Sequence, residues 1–348
     1  MELGKDSLET KTEYTFGGTL KSTFSAHPKI DPAVGTLYNI GYSLNTGPGD
    51  LAVIKCKNDG TVMSKIHRPP LPGLKLYHDM AISTKYLIVP VIPYGVINNP
   101  IALLKFVVGM ASFGTEMRWH GDLPSYFMIF DRETLENVAT VQVPTFSSYH
   151  TCNAYEQEDG TLSIYLAQHR GDREKLEAKF RDVFHSVYQP EDDCDVIRYD
   201  LSTRDWTFRT RTAVSSCALS MEFPVINPSY LGKPFQYYFS PALRQPGYFH
   251  VYQKVNVVTG NVLTYDLPEG VYGNECVFVP KASAGSNTVV SAPSDEDDGY
   301  LLACLYDGNV HGGGLLILDA KTMRQEALLS MPNPIPFHFH GTFVEDVV

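Results

Sequence analysis

Apolar and polar residues alternate in short runs along most of the chain, bounded by Gly, Asp, Asn and Pro. This pattern of short runs bounded by turn residues predicts β-strands. The runs "GTLYNIGYS", "KYLIVPVIP", "SYFMIFD", "LSIYLAQH", "CDVIRYDL", "YFHVYQKVNVVTG", "YLLACLY" and "GLLILDA" carry it, rich in β-branched and aromatic residues. Helical periodicity is scarce. The best case is Asp172–Val187, "DREKLEAKFRDVFHSV", with Leu176, Phe180, Val183 and Phe184 on one face and charges opposite. Its acidic start suits the positive end of a helix dipole. One segment breaks the strand pattern: "NNPIALLKFVVGMASFG", 98–114, is apolar but too short to span a bilayer. It predicts either a buried helix or an exposed apolar patch that meets a membrane face or guards a tunnel.

A weak repeat runs through the strands. A strand ends in Asp-x-x-Thr and another begins, as "DRET" at 131, "DLST" at 200 and "DAKT" at 319, with the variant "NVVT" at 256. Such a turn is ordinary hairpin chemistry and can recur by coincidence. Its return roughly every 60 residues favours a four-stranded unit repeated with insertions. The architecture that follows is all-β, a β-propeller with a few helical insertions.

With 348 residues the chain is long enough for one large or two ordinary domains. At 43% hydrophobic and 19% charged it is expected to be globular. The net charge of −11 disfavours nucleic acid and a mainly electrostatic attachment to anionic lipid. Six scattered cysteines without a C-x-x-C read as reduced thiols in an intracellular compartment, cytoplasmic or plastid. The polar start "MELGKDSLETKTEY" shows no signal or transit segment, and no run is long and apolar enough for a transmembrane helix.

Chemistry enters with histidine. Four of the eleven lie beside strand ends among small or aromatic neighbours: His27 in "FSAHPKIDP", His78 in "LYHDMAIS", His150 in "SYHTCNAYE" and His340 in "FHFHGTF". One such residue is more often structural than functional. In a propeller, however, the inner strand ends of different blades converge, so residues far apart in sequence can form one ring.

The segments "SAHPKIDPAVGTLYNIGYS", "YHDMAISTKYLIVP", "YHTCNAYEQEDG", "MEFPVINPSYLGKP", "NECVFVP" and "FHGTFV" resemble, in order, the motifs of the carotenoid cleavage oxygenases. That family includes carotenoid and apocarotenoid dioxygenases, stilbene-cleaving dioxygenases and the retinoid isomerohydrolase of the eye. The resemblance covers essentially the whole chain. It implies a propeller, seven-bladed in the family, with an axial Fe(II) held by four histidines. On this sequence the ligands are His27, His78, His150 and His340, and the supporting glutamates are Glu222 and Glu275. His338 shares a predicted strand face with His340, but F-H-G-T-F is the matching motif, so His340 is taken. His67, His120, His169, His185, His250 and His311 match no motif and read as structural or surface residues.

The chemistry explains such a set. Cleaving an alkene with O₂ needs a metal with open coordination positions, and four imidazoles on an octahedral iron leave two. Four neutral ligands also leave the full metal charge. Carboxylates that accept the other ring N–H of a ligand fix its tautomer and offset some of that charge. The resemblance implies O₂ and an apolar polyene or aryl alkene as substrates, cleaved to two carbonyl products. Cleavage of a carotenoid or apocarotenoid leads. Stilbene cleavage and retinoid isomerohydrolysis are the enzymatic alternatives, and an inactive polyene-binding relative is the non-enzymatic one. The 21 Tyr and 18 Phe permit an aromatic tunnel without locating it. The segment 98–114 falls where the family is taken to touch membranes peripherally. Family members usually run much longer before the first His motif. Residues 1–348 are therefore expected to form a single propeller domain that lacks its first blades and keeps about five.

Overall fold

A computed structural model describes residues 2–3, 9–12, 16, 20–43, 45–47, 49–97, 99–110, 116–169, 194–244, 248–281, 295–336 and 338–344. Among these, alternation has become strand almost everywhere. The short strands β1 (Glu2–Leu3) and β2 (Thr10–Thr12) pair with each other. Then come β3 (Lys29–Ile30), β4 (Leu37–Tyr42), β5 (Leu51–Cys56) and β6 (Val62–His67), in the sheet order β3-β4-β5-β6. The next stretch holds β7 (Leu74–Lys75), β8 (Ala81–Ile82), β9 (Tyr86–Val91), β10 (Tyr94–Val96), the helix α1 (Pro100–Val107), β11 (Arg118–Trp119), β12 (Ser125–Asp131) and β13 (Asn137–Val143). They form the orders β13-β12-β9-β8 and β11-β10-β7.

Three further sheets follow, each closed by sequence neighbours. One contains β14 (Thr151–Glu156), β15 (Thr161–His169), β16 (Cys194–Ser202) and β17 (Phe208–Ala213). The next contains β18 (Ser220–Met221), β19 (Tyr237–Leu243), β20 (Val251–Asn256) and β21 (Val262–Asp266). The last contains β22 (Val271–Pro280), β23 (Gly299–Asp307), β24 (Gly312–Asp319) and β25 (Arg324–Met331). Within these three sheets every pairing is antiparallel, and β15 runs in register with β16 from Thr161↔Ser202 to His169↔Cys194. The four-stranded antiparallel unit is the one expected from the sequence.

Strand position explains residue choice. The inner strands β5 and β15 are buried along their whole length and mostly apolar, and their polar side chains find partners, Lys55 with Glu133 and Ser163 with Asp200. The fourth strands β17 and β25 are largely exposed and carry Arg209, Arg211, Arg324 and Glu326. Charge there discourages pairing with another chain at an open edge. Successive sheets share cores. Tyr165, Ala167 and Val196 pack in one cluster with Tyr238, Val251 and Val255. Phe239 and Tyr252 pack with Cys276, Phe278, Leu301 and Leu316 in another.

The repeated turn is real but partly shifted. Asp131 accepts hydrogen bonds from the backbone and hydroxyl of Thr134, Asp319 does the same with Thr322, and Asn256 accepts from the backbone of Val258 and Thr259. Each turn ends on a left-handed residue four positions on: Leu135, Met323 and Gly260. In "DLST" the left-handed residue is Trp206, so the equivalent turn begins at Ser202 and not at Asp200. Asp200 stays in β16 and binds Ser163 and Arg198 instead.

The segment 98–114 contains α1, with Ile101, Leu104, Val108 and Met110 exposed and only Ala102 buried among the described side chains. That is the exposed-patch reading, not the buried helix. The expected helix Asp172–Val187 and His185 lie outside the described residues. No helix among the described residues is long and apolar enough to cross a membrane.

By internal contact the chain divides into two compact units. The first is Met1–Met80, Lys85–His120 and Ser125–Val141. The second is Ala81–Thr84, Gly121–Pro124 and Gln142–Val348.

Candidate metal centre

The candidate residues obey one positional rule. His27 lies two residues before β3, His78 lies just before β8, His150 directly precedes β14, Glu222 directly follows β18, and Glu275 lies within β22. Each of these strands is the edge strand with which its sheet begins. His340 is the exception. It sits in an irregular segment after β25, so the strand face expected for His338 and His340 does not exist.

In the first unit, Ser25 ties two of the candidates together. Its hydroxyl donates to the backbone carbonyl of His78, and Ser25 Oγ in turn accepts the backbone N–H of His27 at 3.3 Å. The two rings face each other through Nε2, 3.0 Å apart, with centroids 4.6 Å apart. Two nitrogens on adjacent positions of an octahedral ion, with bonds of about 2.1 Å, are also separated by about 3 Å. The pair therefore fits a shared metal without rearrangement.

In the second unit the carboxylates take their place. His150 directs Nδ1 at Glu222 Oε2, 2.8 Å away, so Nε2 is the ring nitrogen turned away from the carboxylate. The backbone N–H of Phe223 donates to the same oxygen at 2.8 Å, and His169 Nε2 donates to Oε1 at 2.7 Å. Burial alone would raise the Glu222 carboxyl. The imidazoles of His150 and His169 outweigh it and hold the group well below the usual carboxylate range. Phe223 has a left-handed backbone, φ 55°, which is costly for a bulky residue. That turn brings its N–H back to Glu222 and sets its ring 5.1 Å from the His150 ring and 5.3 Å from that of His340.

Glu275 lies where the β22–β23 register shifts between Gly273 and Cys276. Such an irregularity re-aims a side chain out of the sheet alternation. Glu275 accepts the Gly341 N–H at 3.0 Å and faces His340 Nδ1 at 3.4 Å, a long contact for a hydrogen bond. Burial raises its carboxyl, and Gly341 and His340 offset this only in part. The rings of His150 and His340 meet edge to face, 5.1 Å apart. His338 turns elsewhere: its backbone N–H binds Asn274, and its Nδ1 is buried without a hydrogen-bond partner among the described residues.

Among the described residues, three of the remaining histidines are structural. His67 bonds the Leu135 carbonyl, His250 that of Tyr248, and His311 the Tyr306 hydroxyl. His169 is not, since it binds a candidate carboxylate directly. No motif marks it, and only the register of β15 could have placed it there.

The model of the retinal pigment epithelial membrane protein family matches residues 1–345. The chain belongs to that family. Among its relatives, the carotenoid 9,10(9',10')-cleavage dioxygenase 1 of Arabidopsis thaliana is 27% identical over 97% of this chain and 61% of the relative. The apocarotenoid-15,15'-oxygenase of Synechocystis is 25% identical over 92% of this chain and 63% of the relative. The chain thus spans about three fifths of the length of the curated relatives it matches. Among solved structures, cobalt-substituted Synechocystis apocarotenoid oxygenase superposes with a TM-score of 0.81 at 23% identity, over 99% of this chain and 70% of the other. The lignostilbene dioxygenase of Pseudomonas brassicacearum gives 0.80 at 24% identity, over 97% and 69%. These likenesses show the fold, and this family member has the all-β propeller fold read from its sequence.

Proposed function

We propose that His27, His78, His150 and His340 hold a single Fe(II). The observation that carries this reading is the orientation of His150 on Glu222. A buried carboxylate takes its Nδ1–H, and the other nitrogen is left to bind metal. His340 faces Glu275 in the same sense, and His27 and His78 already stand at the spacing two ligands of one ion require.

Fe(II) in this site supplies the binding and activation of O₂ for cleavage of a C=C bond. The protein residues orient and exclude. Glu222 and Glu275 set the ring planes of two ligands and offset the metal charge. Phe223, Phe249 and Phe339 form an aromatic contact network beside His150 and His340. Such surroundings suit a hydrocarbon substrate. The substrate class supported best is a carotenoid or apocarotenoid, because relatives named for carotenoid and apocarotenoid cleavage match over nearly the whole chain. Stilbene cleavage is the second reading, favoured by the lignostilbene dioxygenase likeness. The exposed apolar residues of α1 suit peripheral contact with the membrane in which a polyene dissolves.

The test is product analysis by the iron-loaded protein with β-carotene, an apocarotenal and resveratrol, each under O₂. Two carbonyl products from a polyene are expected. Products from resveratrol alone would move the assignment to stilbene cleavage. Iron binding without turnover of any of the three would support a binding protein.

A further inference from the structure

We infer that His169 is a positioning residue that acts through Glu222 on His150. The inference rests on the reading of His150 as a metal ligand. The Glu222 carboxylate is buried and divided between its oxygens: Oε2 takes the N–H groups of His150 and Phe223, and Oε1 takes that of His169. With both oxygens engaged the carboxylate plane is fixed. The line of the His150 Nδ1–H bond is then fixed as well, and with it the direction of Nε2.

His169 is itself held firmly. It is 8% exposed and ends β15 opposite Cys194. Its backbone N–H bonds the Ser147 carbonyl at 2.9 Å, across an isolated bridge between those residues. The Tyr149 ring stands nearly perpendicular to its own, centroids 5.7 Å apart. His169, Cys194 and Glu222 also bring potential ligand atoms within 4.8 Å of one another. The 2.7 Å between His169 Nε2 and Glu222 Oε1 is nevertheless hydrogen-bond spacing. Two donors on one ion with bonds of about 2.1 Å stand about 3 Å apart or more. His169 therefore orients the carboxylate rather than sharing a second metal with it.

Without the His169 donor, a buried oxygen loses its partner and the carboxylate can turn. His150 can then carry its proton on Nε2, the nitrogen needed for the metal. His169→Leu removes the donor. His169→Gln restores an N–H at similar reach, and His169→Asn offers one that is too short. Two readouts are used on the full chain. The first is the His150 tautomer in the metal-free protein, from ¹⁵N chemical shifts of the imidazole. The second is affinity for Co(II) and for Fe(II) under anaerobic conditions.

The wild type and His169→Gln are expected to show the Nδ1–H tautomer. His169→Leu and His169→Asn should show a mixture and bind metal about 10–100-fold more weakly. If His169→Leu does not fold, the Gln and Asn variants carry the same comparison. An unchanged tautomer and unchanged affinity in the Leu and Asn variants would overturn the inference. So would two metal equivalents in the wild type with one lost on substitution, which would make His169 a ligand. A wild type that binds no metal, but whose His150 tautomer still depends on residue 169, would sink the iron reading and leave the positioning role standing.

Discussion

Glu222 and Glu275 play one part by resemblance, but their surroundings differ. Glu222 accepts three N–H groups at 2.7–2.8 Å and stays below the usual carboxylate range. Glu275 is raised by burial and meets its histidine at 3.4 Å. Glu222→Gln should therefore weaken metal binding by about 100-fold and Glu275→Gln by about 10-fold. Anaerobic titration with Fe(II) or Co(II) measures both, and the reverse order would show that these contacts do not set ligand strength. His340→Ala should abolish binding and His338→Ala should leave it largely intact, since only His340 faces a carboxylate. The choice between these two histidines was legible as a motif. The sequence could not show that the segment is irregular, because F-H-F-H alternates as a strand does.

Among the elements, the β24–β25 turn makes a pH prediction. Asp319 accepts from Thr322 and pairs with Lys281 at 2.7 Å. Burial opposes its ionisation, but the Lys281 and Thr322 contacts prevail and lower it from 3.8 to about 2. A carboxyl lowered by folding contributes stability that is complete above its unfolded value and lost as pH falls through the folded one. Thermal unfolding should therefore show an acid limb between about pH 4 and about pH 2 that Asp319→Asn reduces. An identical limb in the variant would remove Asp319 from the account. The helix α1 makes a different one. Leu104→Asp with Val108→Asp should lower association with liposomes while leaving the unfolding temperature unchanged, because both side chains are exposed. Undiminished association would place the membrane contact elsewhere. The turns also show what pattern alone can misplace: "DLST" carries the motif, yet its turn starts two residues later, because the antiparallel pairing decides which residue must turn left-handed.

At the scale of the whole molecule, the proposed centre draws on residues far apart in sequence. Metal at 100-fold over its dissociation constant should raise folding stability by about 2.7 kcal/mol. Alanine at His27, in the first unit, should cancel this as completely as alanine at His150, in the second. Calorimetry with free Fe(II) or Co(II) held at that excess reads it. Half of the stabilisation surviving His27→Ala would mean two independent sites rather than one.

The sequence determined what depends on neighbours along the chain. Short apolar runs rich in β-branched and aromatic residues set the strands. Gly and Asp/Thr runs set the turns, and ordered motifs marked His27, His78, His150, His340, Glu222 and Glu275. Tertiary structure decided what depends on register and burial. His169 reached Glu222 only because β15 pairs in one register, and a slip of one residue would turn it to the other face. Glu275 faces the tail of the chain through a local irregularity of β22, and Phe223 accepts a left-handed backbone that no local preference favours. Those three placements are fixed by contacts between residues 53 to 66 positions apart, or by a turn whose cost the surrounding packing must offset. No window of sequence short enough to read as a motif contains them.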